Sequence, residues 1–291
     1  MKHKTYKKFY IWCQRHGIGK ILDQIPDKTY LEILYFLQCG KYFDIDNPQT
    51  YNEKLQWLKI HGGYEKFSDL VDKVEAKKIA TSIIGEKYII PTYAVYEKVN
   101  QIDISALPKQ FVLKCTHDSG SNIVCLDKEN FNFERKKKKL EQAMKIDYSG
   151  YLREKQYRGI TPRIIAEKFI GVDDKLPMDY KFFCFDGVPK IVMVAIDRDS
   201  AVKTNFYNMN FERLPLMIEN PNFEDSFEIP SQFEEMKYLA GKLSQGYKHI
   251  RIDLYNVSSH IYFSEFTFQH WGGFSHIEPS IWNEIMGDWI H

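Results

Sequence analysis

Arg251, Asp253 and Glu265 sit at spacings that place three charges on one side of a β-hairpin. The stretch His249–Gly273 reads as two strands about a short turn at Val257–Ser259. Counted by twos, Arg251, Asp253 and Tyr255 share one face and Ile250, Ile252 and Leu254 the other. On the return strand Phe263, Glu265 and Thr267 alternate against Tyr262, Ser264, Phe266 and Phe268. Pairing across the turn brings Asp253 and Glu265 to the same side, beside Arg251. Two carboxylates and a guanidinium on one sheet face need a counter-ion or solvent. A divalent metal carrying a polyphosphate satisfies them; a surface salt bridge is the plain alternative.

Upstream lies a second set. Phe111–Cys115 is a short apolar strand with Lys114 inside it, and a lysine there calls for an anionic partner. Thr116–Asn122 (THDSGSN) follows as a polar loop, then Ile123–Leu126 as strand. A Walker-type loop needs GxxxxGK[ST] opening a helix, and neither condition is met. A polar loop on a hairpin is instead suited to fold over phosphates with its backbone amides. Arg163–Ile170 returns to strand with Glu167-Lys168 near its end. Asp179–Phe185 and Val188–Asp197 form a hairpin joined by Asp186-Gly187, the pair that suits a type I′ turn. IVMVAI in its second strand is apolar on both faces, which places it centrally. Asp197-Arg198 ends that strand at a sheet rim.

The elements around these sites are mostly helical at the start. Apolar spacing predicts helices near Phe9–Cys13, over about Lys28–Gln38 with a stop at Gly40, and from a Thr50 cap to His61 with Glu53 completing a capping box. Another is expected over Ser68–Ile84, stopping at Gly85. A domain boundary is placed at about 100–108. Asn132–Ile146 and Ser231–Gln245 read as further helices, the second capped by Ser231 with Glu234, and the tail closes with a helix. His260 and His270 read as surface residues.

Composition narrows the classes. The chain has 291 residues, and 40 Lys+Arg balance 39 Asp+Glu, which argues against a general polyanion binder. The basic run Arg135–Lys139 reads as a solvated helix face, so no nucleic-acid partner is expected. No apolar run approaches the roughly 18–20 residues of a membrane span. Lysines at 2, 4, 7 and 8 leave peripheral membrane contact open for the first helix. Five scattered cysteines without a CxxC read as free thiols in a reducing cytoplasm, and zinc is not expected.

The order of these features is similar to that of the ATP-grasp superfamily, and more narrowly resembles the TupA-like (teichuronopeptide biosynthesis) ATP-grasp family. The matching stretches are NPQTYNEKLQWLK at 47–59, LPKQFVLKCTHDSGSN at 107–122, RIIAEKFI at 163–170, DYKFFCFDGVPKIVMVAIDR at 179–198 and RIDLYNVSSHIYFSEFTF at 251–268. The resemblance implies an α+β ATP-grasp fold, with two α+β lobes enclosing a nucleotide cleft after a mainly helical region. The divisions expected are 1–105 helical, 106–172 small lobe with the phosphate flap, and 173–291 large lobe with the metal hairpin. ATP and Mg²⁺ are the implied cofactors. Lys114 would reach the α/β-phosphates, and Ser119, Gly120 and Ser121 would cover the β/γ-phosphates. Glu167, Lys168, Phe169 and Ile170 would form the hinge, with main-chain groups of Lys168 and Ile170 reading adenine. Asp179 would contact ribose and Lys181 a phosphate. Asp253 and Glu265 would hold magnesium, and Arg251 and Arg198 would act on the transferring group or substrate carboxylate.

Two departures from the family pattern stand out. Many ATP-grasp ligases carry Glu-x-Asn on the last strand, where Thr267 follows Glu265 here. The flap carries Asp118 where HGSGGN is usual. The implied activity is an ADP-forming carboxylate–amine ligase acting through an acyl phosphate. Its substrates would be a small, sugar-linked carboxylate and an amine in capsule or surface polysaccharide synthesis. The alternatives are a glycosyltransferase of the same pathway, for which Asp44-Ile45-Asp46 is formally a metal motif, and a non-catalytic nucleotide-binding module.

Overall fold

The computed structural model describes residues 9–13, 16, 19–196, 201–224 and 228–291. Asp197 and Arg198 lie outside them, as do the lysines before Phe9.

Two antiparallel sheets carry the architecture. The first takes β1 (Thr92–Tyr96), β2 (Phe111–Cys115), β3 (Ile123–Cys125) and β4 (Ile164–Lys168) in the order β1-β4-β2-β3. The second takes β5 (Asp179–Phe185), β6 (Val188–Ile196), β7 (Lys203–Tyr207), β9 (His249–Val257) and β10 (His260–Thr267) in the order β10-β9-β5-β6-β7. A two-stranded ribbon pairs β8 (Met217–Ile218) with β11 (Ile277–Glu278). Thr92–Tyr96, upstream of the boundary expected near residue 105, forms the edge of the first sheet against β4.

The turn chemistry is as read from the residues. Asp186 and Gly187 both take positive φ, 46° and 78°, as a type I′ turn requires. Ser258 and Ser259 do the same at the β9–β10 turn. On β10 the simple alternation fails. Phe263 pairs with Leu254 and Glu265 with Asp253, so Ser264 is an extra residue in a bulge. The bulge turns Phe263 into the core while Glu265 stays level with Asp253, so Phe263 and Glu265 do not share a face.

Each face of the second sheet has one job. Phe182, Cys184, Ile252 and Leu254 form the core with the helix Phe233–Leu243, which buries Phe233, Met236, Leu239, Ala240 and Leu243. Ser231 does not cap that helix; it begins at Phe233, whose amide donates to the Pro230 carbonyl. The opposite face is divided along its length. Its apolar end holds Phe183, Phe185, Ile191 and Phe206, and the helix Tyr51–His61 adds Tyr51, Leu55 and Leu58 to the same core. His249 sits among these rings. Its Nδ1–H donates to the Cys184 carbonyl, leaving Nε2 to accept from the Tyr51 hydroxyl. Burial pushes its pKa down to about 3. The other end of this face carries the charged residues of the hairpin.

The first sheet packs Phe111, Leu113, Cys115, Ile164 and Ala166 against Leu140 and Ala143 of the helix Phe133–Ala143. A third core joins Tyr30, Leu31, Leu34 and Tyr35 of the helix Asp27–Cys39 to Tyr151, Leu152 and Phe274. The helix expected over 68–84 is two, Ser68–Val71 and Lys73–Ile84. Asp72 separates them with extended backbone, and its carboxylate accepts from the Val74 and Glu75 amides. An Asp cap of this kind contributes about 1 kcal/mol.

Candidate active site

The charged end of the second sheet floors a cleft of about 670 Å³. Register explains the gathering. Lys181 stands opposite Asp253 between β5 and β9, Asp253 opposite Glu265, and Arg251 opposite Thr267 between β9 and β10. Asp179 is one pleat beyond Lys181, opposite Ala195 of β6. Asp179, Lys181, Arg251, Glu265 and Thr267 line the cleft.

Asp253 lies beneath, with 0% exposure. Its Oδ1 accepts from Arg251 Nε at 2.7 Å, and its Oδ2 accepts from Arg251 Nη2 at 2.7 Å and Lys181 Nζ at 2.5 Å. Burial opposes its charge, but Arg251 and Lys181 outweigh it and hold the carboxyl well below its usual range. Lys181 also pairs with Asp179 at 2.9 Å. Arg251 reaches Glu265 at 3.4 Å and the Thr267 hydroxyl at 3.0 Å. Thr267, placed where Asn is usual, therefore engages the arginine. Glu265 keeps 42% of its side chain exposed, toward the cleft.

A second ionic cluster forms on the first sheet. Glu167, fully enclosed, accepts Lys114 at 2.5 Å through one oxygen and Lys77 through the other. Lys77 comes from the helix Lys73–Ile84 and also donates to the Ile90 carbonyl and the Thr92 hydroxyl. Burial disfavours the Glu167 charge, yet the two lysines hold its pKa below the usual range. Burial also opposes the Lys114 charge; Glu167, Tyr255 and Glu265 outweigh it and hold it above its usual value. Lys114 thus feels Glu265 from the other sheet. Two ammonium groups on one carboxylate leave a net charge of +1 there.

The expected flap residues divide. Ser119 lines the cleft, and Gly120 takes φ 104°, a conformation that favours glycine. Ser121 faces inward. Its hydroxyl accepts from the Cys115 amide and donates to Asp118 Oδ1 at 2.7 Å. That contact ties the Asp118 carboxylate to the loop, although Asp118 also lines the cleft. Lys73 Nζ donates to the Asp118 carbonyl at 2.5 Å and ties the flap to the helix start. At the hinge, Glu167 serves through its side chain, Phe169 is buried, and the Lys168 amide donates to the Pro91 carbonyl. The Lys168 N–H is therefore not free to read adenine, and none of Glu167, Lys168, Phe169 and Ile170 lines the cleft.

Lys73, His117, Tyr148, Tyr157 and His270 also line the cleft, and of these Lys73 and Tyr148 carry no signal in the residue pattern. His270 is 2% exposed, not a surface residue, and its Nδ1 meets an Arg251 N–H. His270 lies nineteen residues after Arg251 and past the end of β10, so no strand alternation marks the pair. The loop carrying His270 is fixed by the helix Tyr51–His61. Gln56 donates to the Gly272 and Gly273 carbonyls, and Asn52 donates to the Ser275 carbonyl. Lys59, 1% exposed, donates to Gly272 at 2.7 Å and Gln56 at 2.9 Å. This accounts for the stretch at 47–59 as a support for the cleft.

Burial pushes the Lys59 pKa down to about 7, against the pull of Glu154. The folded value lies below the unfolded 10.5, so between them the unfolded chain binds more protons. Stability should therefore rise with pH from about 7 to 10.5, by up to about 1.4 kcal/mol per unit. Urea unfolding of wild type and Lys59→Met across that range checks it: the variant should lack this component of the slope.

Of the two carboxylates expected to hold magnesium, Glu265 opens to the cleft, where a hard cation keeps waters and substrate phosphates as further ligands. Asp253 does not line it, and its oxygens would have to release Arg251 or Lys181 to join Glu265 as a ligand. Among the described residues no group of three or more His, Cys, Asp or Glu forms a protein-only metal cage. Asp44-Ile45-Asp46 is a surface turn in which Asp46 pairs with Lys28 and Asp44 caps the Asp46 amide.

The sequence model of the TupA-like ATPgrasp family matches residues 53–291. The chain belongs to the TupA-like ATP-grasp family. No curated protein matches it. Solved structures similar to this family member include D-alanine–D-alanine ligase from Bacillus anthracis complexed with ATP, at 13% identity and TM-score 0.41, covering 72% of this chain and 63% of that one. The ATP-grasp ligase PsnB complexed with its minimal precursor is similar at 8% identity and TM-score 0.41, covering 70% and 53%. N5-carboxyaminoimidazole synthetase from Staphylococcus aureus is similar at 14% and TM-score 0.39, covering 82% and 50%. The TupA-like chain spans half to two thirds of the length of these structures. Family membership rests on the family match; these likenesses are too distant to carry an activity. Among the described residues no helix is long and apolar enough to cross a membrane.

Proposed function

We propose that this TupA-like ATP-grasp protein is an ATP-dependent carboxylate–amine ligase. ATP phosphorylates a substrate carboxylate, releasing ADP. The amine then attacks the acyl phosphate, and phosphate leaves as the amide forms. The observation that carries this reading is the convergence of Lys181, Arg251, Asp179 and Glu265 in one cleft; the Lys114–Glu167–Lys77 cluster lies outside its lining, with Lys114 within electrostatic reach of Glu265.

Lys114 and Lys181 would neutralise nucleotide phosphates, with the Ser119–Ser121 flap above them. The Lys168 carbonyl and the Ile170 main chain would read adenine, and Asp179 would meet ribose. Asp253 and Glu265 would hold magnesium, which supplies charge neutralisation for phosphoryl transfer. Arg251, fixed by Asp253, would stabilise negative charge on the transferring group and on the tetrahedral adduct. Tyr148, Tyr151, Tyr157 and Trp271 line the same cleft and favour a sugar-linked substrate, such as a uronic acid or an amino acid on a surface polysaccharide precursor. A cytoplasmic site of action accords with the buried free cysteines Cys13, Cys115, Cys125 and Cys184.

The test is ADP release with a panel of uronates and amino acids, each with and without amines, and hydroxylamine to trap the acyl phosphate as a hydroxamate. Carboxylate-dependent ADP release and a hydroxamate support the ligase. Binding of a nucleotide sugar without any binding of ATP overturns it in favour of glycosyl transfer.

A further inference from the structure

We propose that the outward face of the N-terminal helices docks on an anionic lipid surface. Phe9, Trp12, Ile33, Phe36, Leu37 and Tyr42 enter the boundary between headgroups and acyl chains, and the basic residues of the first twenty meet the headgroups.

Both helices are apolar on two sides. The one over residues 9–13 buries Tyr10 and Cys13 in the protein and leaves Phe9 and Trp12 exposed. The Trp12 ring stacks on Phe9 and on His16, with centroids 6.4 and 4.4 Å apart. The helix Asp27–Cys39 buries Tyr30, Leu31, Leu34 and Tyr35. Its exposed Ile33, Phe36 and Leu37 are spaced i, i+3, i+4 and form one stripe on another side. Tyr42 extends that stripe: it is exposed and stacks on Phe36, with centroids 4.2 Å apart and planes 13° apart. A surface helix in water keeps a polar outer face; one that is apolar there as well calls for a second apolar phase.

The two helices share a support. Tyr10 packs on the Tyr151 ring with centroids 5.6 Å apart, and the Tyr30 hydroxyl donates to the Tyr151 carbonyl at 3.1 Å. Tyr151 also lines the cleft, so these helices are built onto one of its walls.

Charge selects the occupant. The first twenty residues hold Lys2, Lys4, Lys7, Lys8, Arg15 and Lys20, and no Asp or Glu, in a chain whose net charge is only +1. The side chains of these six lie outside the described ones. Basic clusters beside an amphipathic helix are drawn to anionic headgroups, and tryptophan favours the headgroup level. Ile33 and Leu37 offer no flat ring for a nucleobase to stack on, which argues against a nucleic acid. A second copy would bring the same six positive charges against this face.

Flotation of the full chain with vesicles tests the surface. It should float with phosphatidylcholine vesicles containing about 30% phosphatidylglycerol and not with phosphatidylcholine alone. Raising NaCl from about 0.1 to about 0.5 M should lower the partition about tenfold. Phe9→Ser with Trp12→Ser, and separately Phe36→Ser with Leu37→Ser, should each lower it about tenfold. Thermal unfolding and affinity for a magnesium–ATP analogue should stay as in wild type. Brominated acyl chains should quench a fluorescence component that Trp12→Phe removes, a reading that needs no polar substitution. No flotation, equal flotation on neutral vesicles, full partition by either double variant, or an unquenched Trp12 overturns the proposal. A concentration-dependent dimer lost in both double variants, without vesicle binding, assigns the face to a second copy instead.

Discussion

Glu167→Gln should destabilise the protein by about 3–5 kcal/mol, the range for breaking a buried ion pair on one side. Glu167 is the shared partner of Lys77 and Lys114, and each lysine is largely enclosed. Removing its charge leaves two ammonium groups facing one amide. The lysines cannot both escape: Lys77 is held by the Ile90 carbonyl and Thr92 hydroxyl, and burial already lowers its pKa. Urea denaturation measures the loss. Adding Lys77→Met to Glu167→Gln should recover part of it, because the pair of like charges becomes a single one. A loss below about 1 kcal/mol would show the cluster to be solvated.

Glu265→Gln should behave in the opposite way. Its side chain is 42% exposed, and its contacts to Arg251 and Thr267 are both 3.4 Å. Surface changes of that kind shift stability by about 0.5 kcal/mol or less. Turnover should nonetheless fall by about 10²-fold or more, because the variant loses an anionic oxygen at the proposed magnesium position. Asp253→Asn differs again. It should lose turnover and stability together, since both Asp253 oxygens anchor Arg251 and Lys181 in a fully buried position. Thermal unfolding alongside ADP-release assays separates the two variants. Glu265→Gln with wild-type turnover would contradict the metal assignment.

The contrast between these carboxylates shows what residue patterns reveal. The β9–β10 hairpin was legible because its alternation is strict on β9 and its turn is short. Period two then placed Arg251, Asp253 and Glu265 together, and the register agrees. The bulge at Ser264 was not legible, since nothing local marks which residue of a strand goes unpaired. The relative depth of Asp253 and Glu265 was equally hidden, because depth depends on neighbours from other elements. Asp72 carried a readable signal, a cap residue inside a helical run, but the flanking periodicity masked the break. Lys77 was hidden for another reason. Its partner Glu167 lies ninety residues away in sequence, and a lysine on a helix otherwise reads as a solvated charge. His270 was obscured by the tight left-handed loop at Trp271–Gly273, which interrupts the strand period and turns the ring back against Arg251. The stretch at 47–59 was recognisable as a pattern, but its task emerged only from Asn52, Gln56 and Lys59 on the loop carbonyls.

The central claim is that this cleft binds magnesium and ATP between Lys114 and the Asp253–Glu265 pair. Calorimetric titration with the non-hydrolysable β,γ-imido analogue of ATP tests it most directly, with and without magnesium, for wild type, Lys114→Met and Glu265→Gln. The account predicts binding by wild type that strengthens with magnesium, loss of affinity in Lys114→Met, and loss of the magnesium effect in Glu265→Gln. Analogue affinity unchanged in Lys114→Met, or indifferent to magnesium in wild type, would contradict it.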